Sequence, residues 1–377
     1  MATWFSLAVL AKETAVLAPA ALACWECARW IAPKRAARSG LWMDSDSRGR
    51  RVVSLLVPLL PLALWYAYHY ARTGYVFGNP EFFRYNVADT LNPVRFLLAL
   101  MLRLWQAFGY MHLWVLTLGM LGAMLLPALK DGGVERGRIA IQEQMIFLVV
   151  VTAYVFAMAL IGGAVLARYL LPAVPLVILV AVSTLRRRLR YWPMVVGVVG
   201  LAFIVAWFWN PPYGFSPEDN LAYRDFVVLH EDAERFLEAR YPMARTLTAW
   251  PASDELTHPS LGYVTRPVQV VRIEDFSLEE VLSAADFRSN FEVALVFSTK
   301  YDPPHPPLER WTLDRWKSWE GWKRRFFGYH SDLPPAAVAR ILGGQIVFSE
   351  EHKGEWVAVI EMERNEMQEA GNAGPLD

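Results

Sequence analysis

Cysteine is nearly absent from this 377-residue chain, and the two that occur, Cys24 and Cys27, sit in the run Cys-Trp-Glu-Cys inside an apolar segment. A thioredoxin-like pair needs a soluble strand-helix setting and a zinc site needs further ligands. The spacing therefore reads as two small apolar residues one helical turn apart, and no structural disulfide is expected. Net charge is missing too: 37 Lys and Arg balance 37 Asp and Glu. The basic residues lie in short loops rather than on a continuous face, which excludes a nucleic-acid partner. No basic stretch precedes the first apolar run, because the first charged side chain is Lys12. The start makes a poor secretory signal and reads as the tail of a helix that begins earlier. Internal repeats, long low-complexity tracts, a nucleotide-binding glycine loop and a catalytic triad at recognisable spacing are also lacking.

What the chain has in quantity is hydrophobicity, with 55% apolar residues and a mean hydropathy of +0.23. That is high for a soluble protein and low for one embedded throughout, so a mixed architecture is implied. Crossing a bilayer takes about 20 mostly apolar residues, fewer where aromatic anchors trim the ends. Six segments qualify: 14–32, 52–71, 112–129, 145–165, 169–185 and 193–209. Residues 95–110 are apolar but interrupted by Arg103, Gln106 and Gly109, and read either as a helix at the interface or as an extension of the third span. Pro58, Pro61, Pro172 and Pro175 fall inside predicted spans, where they suggest kinks. Trp192 at one end and Trp207 and Trp209 at the other bracket the last span.

Loop charge orients these spans. Lys34, Arg35, Arg38, Arg48, Arg50 and Arg51 form one basic group, Lys130, Arg136 and Arg138 a second, and Arg186, Arg187, Arg188 and Arg190 a third. Strict alternation through six spans puts all three groups on one side, which the positive-inside rule makes cytoplasmic. The opposite side collects Lys12, Glu13, Arg84, Tyr85, Arg168 and Tyr169.

On that outer side, Lys12-Glu13-Thr14 opens the first complete span. It reads as a capped helix with a snorkelling lysine, or as a point charge for a phosphate just outside the bilayer. Arg168-Tyr169 follows Gly162-Gly163 and begins the run Tyr-Leu-Leu-Pro-Ala-Val-Pro-Leu. An arginine so close to an apolar core is costly unless paired or hydrated, so it is either an interfacial anchor or a fork for phosphate or carboxylate. The loop from Arg72 to Val94 carries Gly74, Gly78-Asn79-Pro80 and Glu81-Phe82-Phe83-Arg84-Tyr85-Asn86. Its aromatics and charges suit a sugar site or an ordinary turn-rich connection.

Taken together, these pieces resemble polytopic membrane glycosyltransferases of the GT-C class, the dolichyl-phosphate-mannose protein mannosyltransferase and aminoarabinose transferase group. The matching parts are Leu-Ala-Lys-Glu-Thr-Ala before a span, the Gly-Asn-Pro loop, Ala-Arg-Tyr-Leu-Leu-Pro-Ala-Val-Pro-Leu, and a soluble domain after the last span. The resemblance covers roughly the first 210 residues. It implies sugar transfer from a polyprenyl-phosphate carrier to a glycan, lipid or protein acceptor at the outer face of the plasma membrane. Lys12 and Arg168 would contact the carrier phosphate, Tyr169 would support them, and Glu13 would orient Lys12 or acceptor groups, with Arg84 and Tyr85 in supporting roles. The resemblance also implies a catalytic aspartate in the first outer loop. That position would lie before Met1, and nothing matches Asp89 to it, so the catalytic residue is unassigned. The chain is expected to be the C-terminal part of a transferase, inactive alone, whose missing segment or subunit completes it. No metal ligands are assigned and no cofactor is required, although a divalent metal is compatible with the activity.

After Asn210-Pro211-Pro212 the composition turns charged and alternating, marking a domain boundary. The expected organisation is a polytopic α-helical membrane region of about six spans over residues 1–209, an extracytoplasmic α/β domain over 210–365 and a disordered tail over 366–377. Residues 218–240 have helical periodicity, and His230-Glu231-Asp232 with Glu234 and Arg235 reads as a solvent face. Thr246 to Trp250, Pro267 to Ile273 and Phe291 to Ser298 read as strands, and Ile346 to Ser349 with Trp356 to Glu361 as a hairpin about Lys353-Gly354. Asp254, Glu255 and His258 could form a site or a solvated turn, and the absence of a second histidine at metal spacing argues against zinc. From Leu308 to Phe327, Trp311, Trp316, Trp319, Trp322 and Phe326 form an amphipathic stripe that suits internal packing or a membrane surface. Two other function classes fit less of this pattern: a non-catalytic envelope-assembly or binding subunit presenting its outer domain, and a transporter, which predicts mid-span ionisable groups and inverted repeats.

Overall fold

The computed structural model describes residues 1–31, 45–76, 92–161, 166–208, 220–299, 317–327 and 331–363. The chain divides into two compact units, Met1–Ala206 and Trp207–Asp377.

The first unit is helical. Helix α1 (Ala2–Ala11) is followed by a 3-10 turn at Glu13–Val16, then α2 (Leu17–Ile31), α3 (Ser45–Leu56), α4 (Leu59–Thr73), α5 (Pro93–Phe108), α6 (Leu113–Met124), α7 (Ile141–Ile161), α8 (Val174–Arg188) and α9 (Trp192–Phe208). Helix α1 packs on α4, α2 on α3 and α7, α5 on α7, and α6 on α8. Helix α7 is at the centre: Val150, Val151, Tyr154, Val155 and Met158 are buried with Ala21, Ala107, Leu170 and Ala173.

Among the described residues, three helical stretches are long and apolar enough to cross a membrane: Gly49–Thr73, Pro93–Met124 and Ile141–Ile161. Ala2–Ala11 and Trp192–Phe208 are apolar but shorter. The span expected over 112–129 is a 12-residue helix, α6, about 18 Å long at 1.5 Å per residue. It continues from α5 across a kink at Met111 and His112, both at positive φ. Where a span was expected to begin at 169, the structure has a 15-residue helix beginning at Val174, because Ala167–Leu170 forms a separate 3-10 turn and Pro175 lies in the first turn of α8. Pro172 thus lies ahead of that helix and Pro175 at its start, where a missing N–H costs nothing. Asn92 caps α5 by accepting from Val94 N at 2.9 Å, with Pro93 at the first helical position.

Two basic loops meet at one end of this unit. Strands β1 (Lys130–Asp131) and β2 (Val134–Glu135) form a small hairpin. Leu129 N donates to Arg187 O at 2.9 Å, Arg187 pairs with Glu135 at 2.6 Å, and Arg136 pairs with Asp131 at 2.8 Å. Arg188 donates to the carbonyls of Met124 and Leu126. The expected basic loops 130–138 and 186–190 therefore share a location.

The second unit is α/β. Helix α10 (Ala222–Arg240) precedes β3 (Thr246–Thr248), α11 (Ala252–Thr257), β4 (Val270–Arg272), α12 (Leu278–Asp286), β5 (Val293–Phe297), α13 (Lys317–Phe327), α14 (Pro335–Leu342), β6 (Gly344–His352) and β7 (Glu355–Met362). The five-stranded sheet has the order β4-β3-β5-β7-β6. Strand β3 is parallel to both β4 and β5, while β7 is antiparallel to β5 and β6. Strand β5, Val-Ala-Leu-Val-Phe, is buried at every position, as a continuous apolar run in a central strand should be. Helix α10 packs on β6 and β7, and α12 on α14. The β6–β7 turn uses Lys353 at φ 50 and Gly354 at φ 91, the left-handed pair that a two-residue hairpin loop demands.

Candidate functional site

In the first unit, Lys12 stands where α1 stops. Its backbone is extended (φ −153, ψ 120), so the chain breaks between α1 and the 3-10 turn that Glu13 opens. Arg168 and Tyr169 lie on the 3-10 turn Ala167–Leu170, which is held from both sides. Leu170 is fully buried in the α7 core. Arg103 of α5, also fully buried, donates from Nη1 to Leu166 O at 2.8 Å and to Gln106 Oε1 at 2.8 Å, and from Nε to Met158 O at 3.4 Å. Met158 is near the end of α7 and Leu166 begins the next turn, so one guanidinium bridges the helix and the turn that presents Arg168.

The result brings two distant cations to one ring. Lys12 Nζ lies 5.4 Å and Arg168 Cζ 5.8 Å from the centroid of Tyr169. Each is within cation–π range of that ring, and both are exposed. The electron-rich face tempers the repulsion between them, and an incoming dianion is the natural partner for such a pair. Glu13 is exposed beside Lys12 and within electrostatic reach of Tyr66 on α4. The site stands beyond the Ile161 end of α7, whereas Arg138 and the basic hairpin precede its Ile141 end. Twenty-one residues of helix, about 30 Å at 1.5 Å each, separate the two ends.

Of the outer-side residues read from sequence, Lys12, Glu13, Arg168 and Tyr169 are placed by the structure, and the two cations converge on the tyrosine. Arg84, Tyr85, Asp89, Gly78-Asn79-Pro80 and Gly162-Gly163 lie outside the described residues. Arg103 and Gln106 were read as interruptions suited to an interface. They are instead buried between α5 and α7, because carbonyls freed at the end of α7 supply the acceptors that a buried guanidinium needs. Their helical spacing of three was the available signal.

The second unit corrects two readings. His230 and Glu234 do not join a solvent face: they are 1% and 0% exposed, while Glu231 pairs outward with Arg235 at 2.7 Å. Asp254, Glu255 and His258 neither form a joint site nor a solvated turn. Asp254 and Glu255 are on α11, where Asp254 pairs with the exposed Arg272 at 2.7 Å and Glu255 turns inward to His230 Nδ1, also at 2.7 Å. His258 ends that helix, exposed, against Thr257 Oγ1 and Asp254 O. The Phe226 and Phe297 rings flank the His230 imidazole at 4.1 and 4.5 Å. An open cleft of about 530 Å³ adjoins the β6–β7 turn, lined by Arg224, Asp225 and Val228 of α10 and by Glu351, His352 and Lys353. Asp225 there pairs with Lys353 at 3.1 Å. Of the aromatic stripe, Trp322 and Phe326 stack edge to face on α13, and Trp311 and Trp316 lie outside the described residues.

No protein-family model, no curated protein and no solved structure matches this chain.

Proposed function

We propose that this chain is part of a multi-pass membrane glycosyltransferase of GT-C type, in which Lys12 and Arg168 hold the phosphate of a polyprenyl-phosphate-linked sugar and Tyr169 sets their spacing. The observation that carries the reading is the convergence of Lys12 and Arg168 on one tyrosine ring. The two turns that carry these residues pack on the apolar helices α1, α2, α5 and α7, so a ligand with a long hydrocarbon tail and an anionic head is the chemistry that fits both. Binding the phosphate there would stabilise the charge it gains as the sugar leaves. The acceptor hydroxyl would lose its proton to a carboxylate this reading does not assign. With about six spans, the positive-inside rule sets the arginine-rich hairpin in the cytoplasm and the Lys12–Arg168 end outside the plasma membrane, together with the C-terminal α/β unit as an acceptor- or product-positioning domain.

The test is polyprenyl-phosphate binding by the purified chain in lipid nanodiscs. Arg168→Ala and Lys12→Ala should each weaken binding about tenfold, the size of one charge-assisted contact, while Arg138→Ala leaves it unchanged. Equal losses from Arg168→Ala and Arg138→Ala overturn the phosphate role. Sidedness is read separately: with Cys24 and Cys27 replaced by serine, Lys12→Cys and Arg168→Cys should both react with an impermeant thiol reagent applied from outside. Labelling from opposite sides overturns the arrangement.

A further inference from the structure

Buried carboxylates need a proton, a cation or donors, and in the C-terminal unit two of them meet one histidine that donates to Glu255 alone. His230 and Glu234 are one helical turn apart on α10, and Glu255 comes from α11, just past the end of β3. His230 and Glu234 are 1% and 0% exposed and Glu255 is 6%. Neither oxygen of Glu234 has a hydrogen-bond donor, and His230 Nε2 is also without a partner. One ligand atom from each of the three residues lies within 4.8 Å of the other two.

We propose that His230, Glu234 and Glu255 form a divalent metal site, for Zn²⁺ or Mn²⁺, that clamps α10 to α11. The distances bring one ligand atom of each residue within reach of a single ion. His230 Nδ1 is 2.7 Å from Glu255 Oε2 and 3.9 Å from Glu234 Oε1. In a tetrahedral site with bonds of about 2.0 Å, ligand atoms stand roughly 3.3 Å apart. The two observed distances straddle that value, so shifts of about 0.6 Å admit the ion. A single proton can satisfy one oxygen of Glu234 and leaves the other bare. A divalent ion offsets both carboxylates at once, which is what their depth demands. One imidazole nitrogen with carboxylate oxygens suits Zn²⁺ or Mn²⁺; Mg²⁺ prefers oxygen ligands and retains its waters. Burial, and then the nearby Glu255, hold the Glu234 carboxyl far above the usual carboxylate range while no cation is bound. Tyr263 is pushed up by burial and then by Glu255, so its hydroxyl remains neutral beside the cluster.

The experiment uses the full chain, tag-free and in detergent, stripped with chelator and then titrated with Zn²⁺, Mn²⁺ and Mg²⁺. Metal content is read by mass spectrometry of the element, and stability by the thermal midpoint of the C-terminal unit. About one Zn²⁺ or Mn²⁺ per chain is expected, with a midpoint several degrees higher than in the stripped protein and no response to Mg²⁺. Glu234→Gln keeps the shape and the hydrogen-bonding of a protonated carboxyl. It should lose the bound ion and the metal-dependent shift, while Asp254→Asn, at the half-buried neighbour that faces Arg272, retains both. Failure of the parent chain to bind either ion, with an unmoved midpoint, overturns the proposal in favour of a proton shared between Glu234 and Glu255; so does a Glu234→Gln variant that binds metal as the parent does. Should Glu234→Gln fail to fold, the titration of the parent chain decides alone.

Discussion

A buried carboxyl one residue past the β6–β7 turn makes the second unit sensitive to pH. Glu355 is 2% exposed, and Oε2 has no hydrogen-bond partner. Burial, and then the carboxylate of Asp225, push it from 4.5 up to about 7, against the opposing pull of Lys353. The folded chain thus holds this proton more tightly than the unfolded chain does. Its stabilising effect is complete below about pH 4.5 and is lost as pH rises toward 7. Glu355→Gln should therefore be more stable than the parent near pH 8, by about 1–2 kcal/mol after allowing for partial hydration, and equal to it near pH 4. Urea unfolding at the two pH values checks the sign. A gain that is larger at the acid end contradicts the assignment.

Among the elements, the 3-10 turn at Ala167–Leu170 depends on a neighbour that touches no part of the proposed ligand. Arg103 grips Leu166 O and Met158 O together, a two-armed hold that a lysine with the same charge does not reproduce. Arg103→Lys should lower polyprenyl-phosphate affinity about threefold, less than Arg168→Ala, with Arg138→Lys as the neutral control. Unchanged binding by Arg103→Lys means the turn keeps its shape without that grip. In the second unit, α10 is fastened to the sheet through Leu229, Ala233 and Leu237, all within the buried core. Leu237→Ala leaves a void in that core and should cost about 2–4 kcal/mol in chemical denaturation. Several elements were legible because local chemistry and packing agree. Residues 218–240 correspond to Ala222–Arg240, Phe291 to Ser298 to β5, and Lys353-Gly354 to the turn of a real hairpin. The miss on His230 and Glu234 came from counting charge rather than phase: Leu229, Ala233 and Leu237 mark the inward side of the helix, and these two residues share it.

For the whole molecule, the division into two units, each with buried core of its own, implies two separate responses to denaturant. The helices of Met1–Ala206 bury Val150, Tyr154 and Leu170, whereas the sheet of the second unit buries Leu247, Leu295 and Val359. In detergent, urea should unfold the α/β unit while leaving helical circular dichroism from the first unit largely in place, and Leu237→Ala should move the α/β transition alone. A single shared transition, shifted as a whole by Leu237→Ala, contradicts this. Composition and order of residues determined the division into an apolar helical part and an α/β part, since stretches of apolar side chains and alternating patterns act within a few residues of themselves. They also determined which loops carry arginine. Tertiary structure alone decided which distant groups meet: Lys12 with Arg168 over Tyr169, Arg103 with the carbonyls past α7, and His230 with Glu255. The physical reason is that burial and pairing depend on the packing of segments far apart along the chain, and a charged residue looks the same in sequence whether water or another side chain will face it.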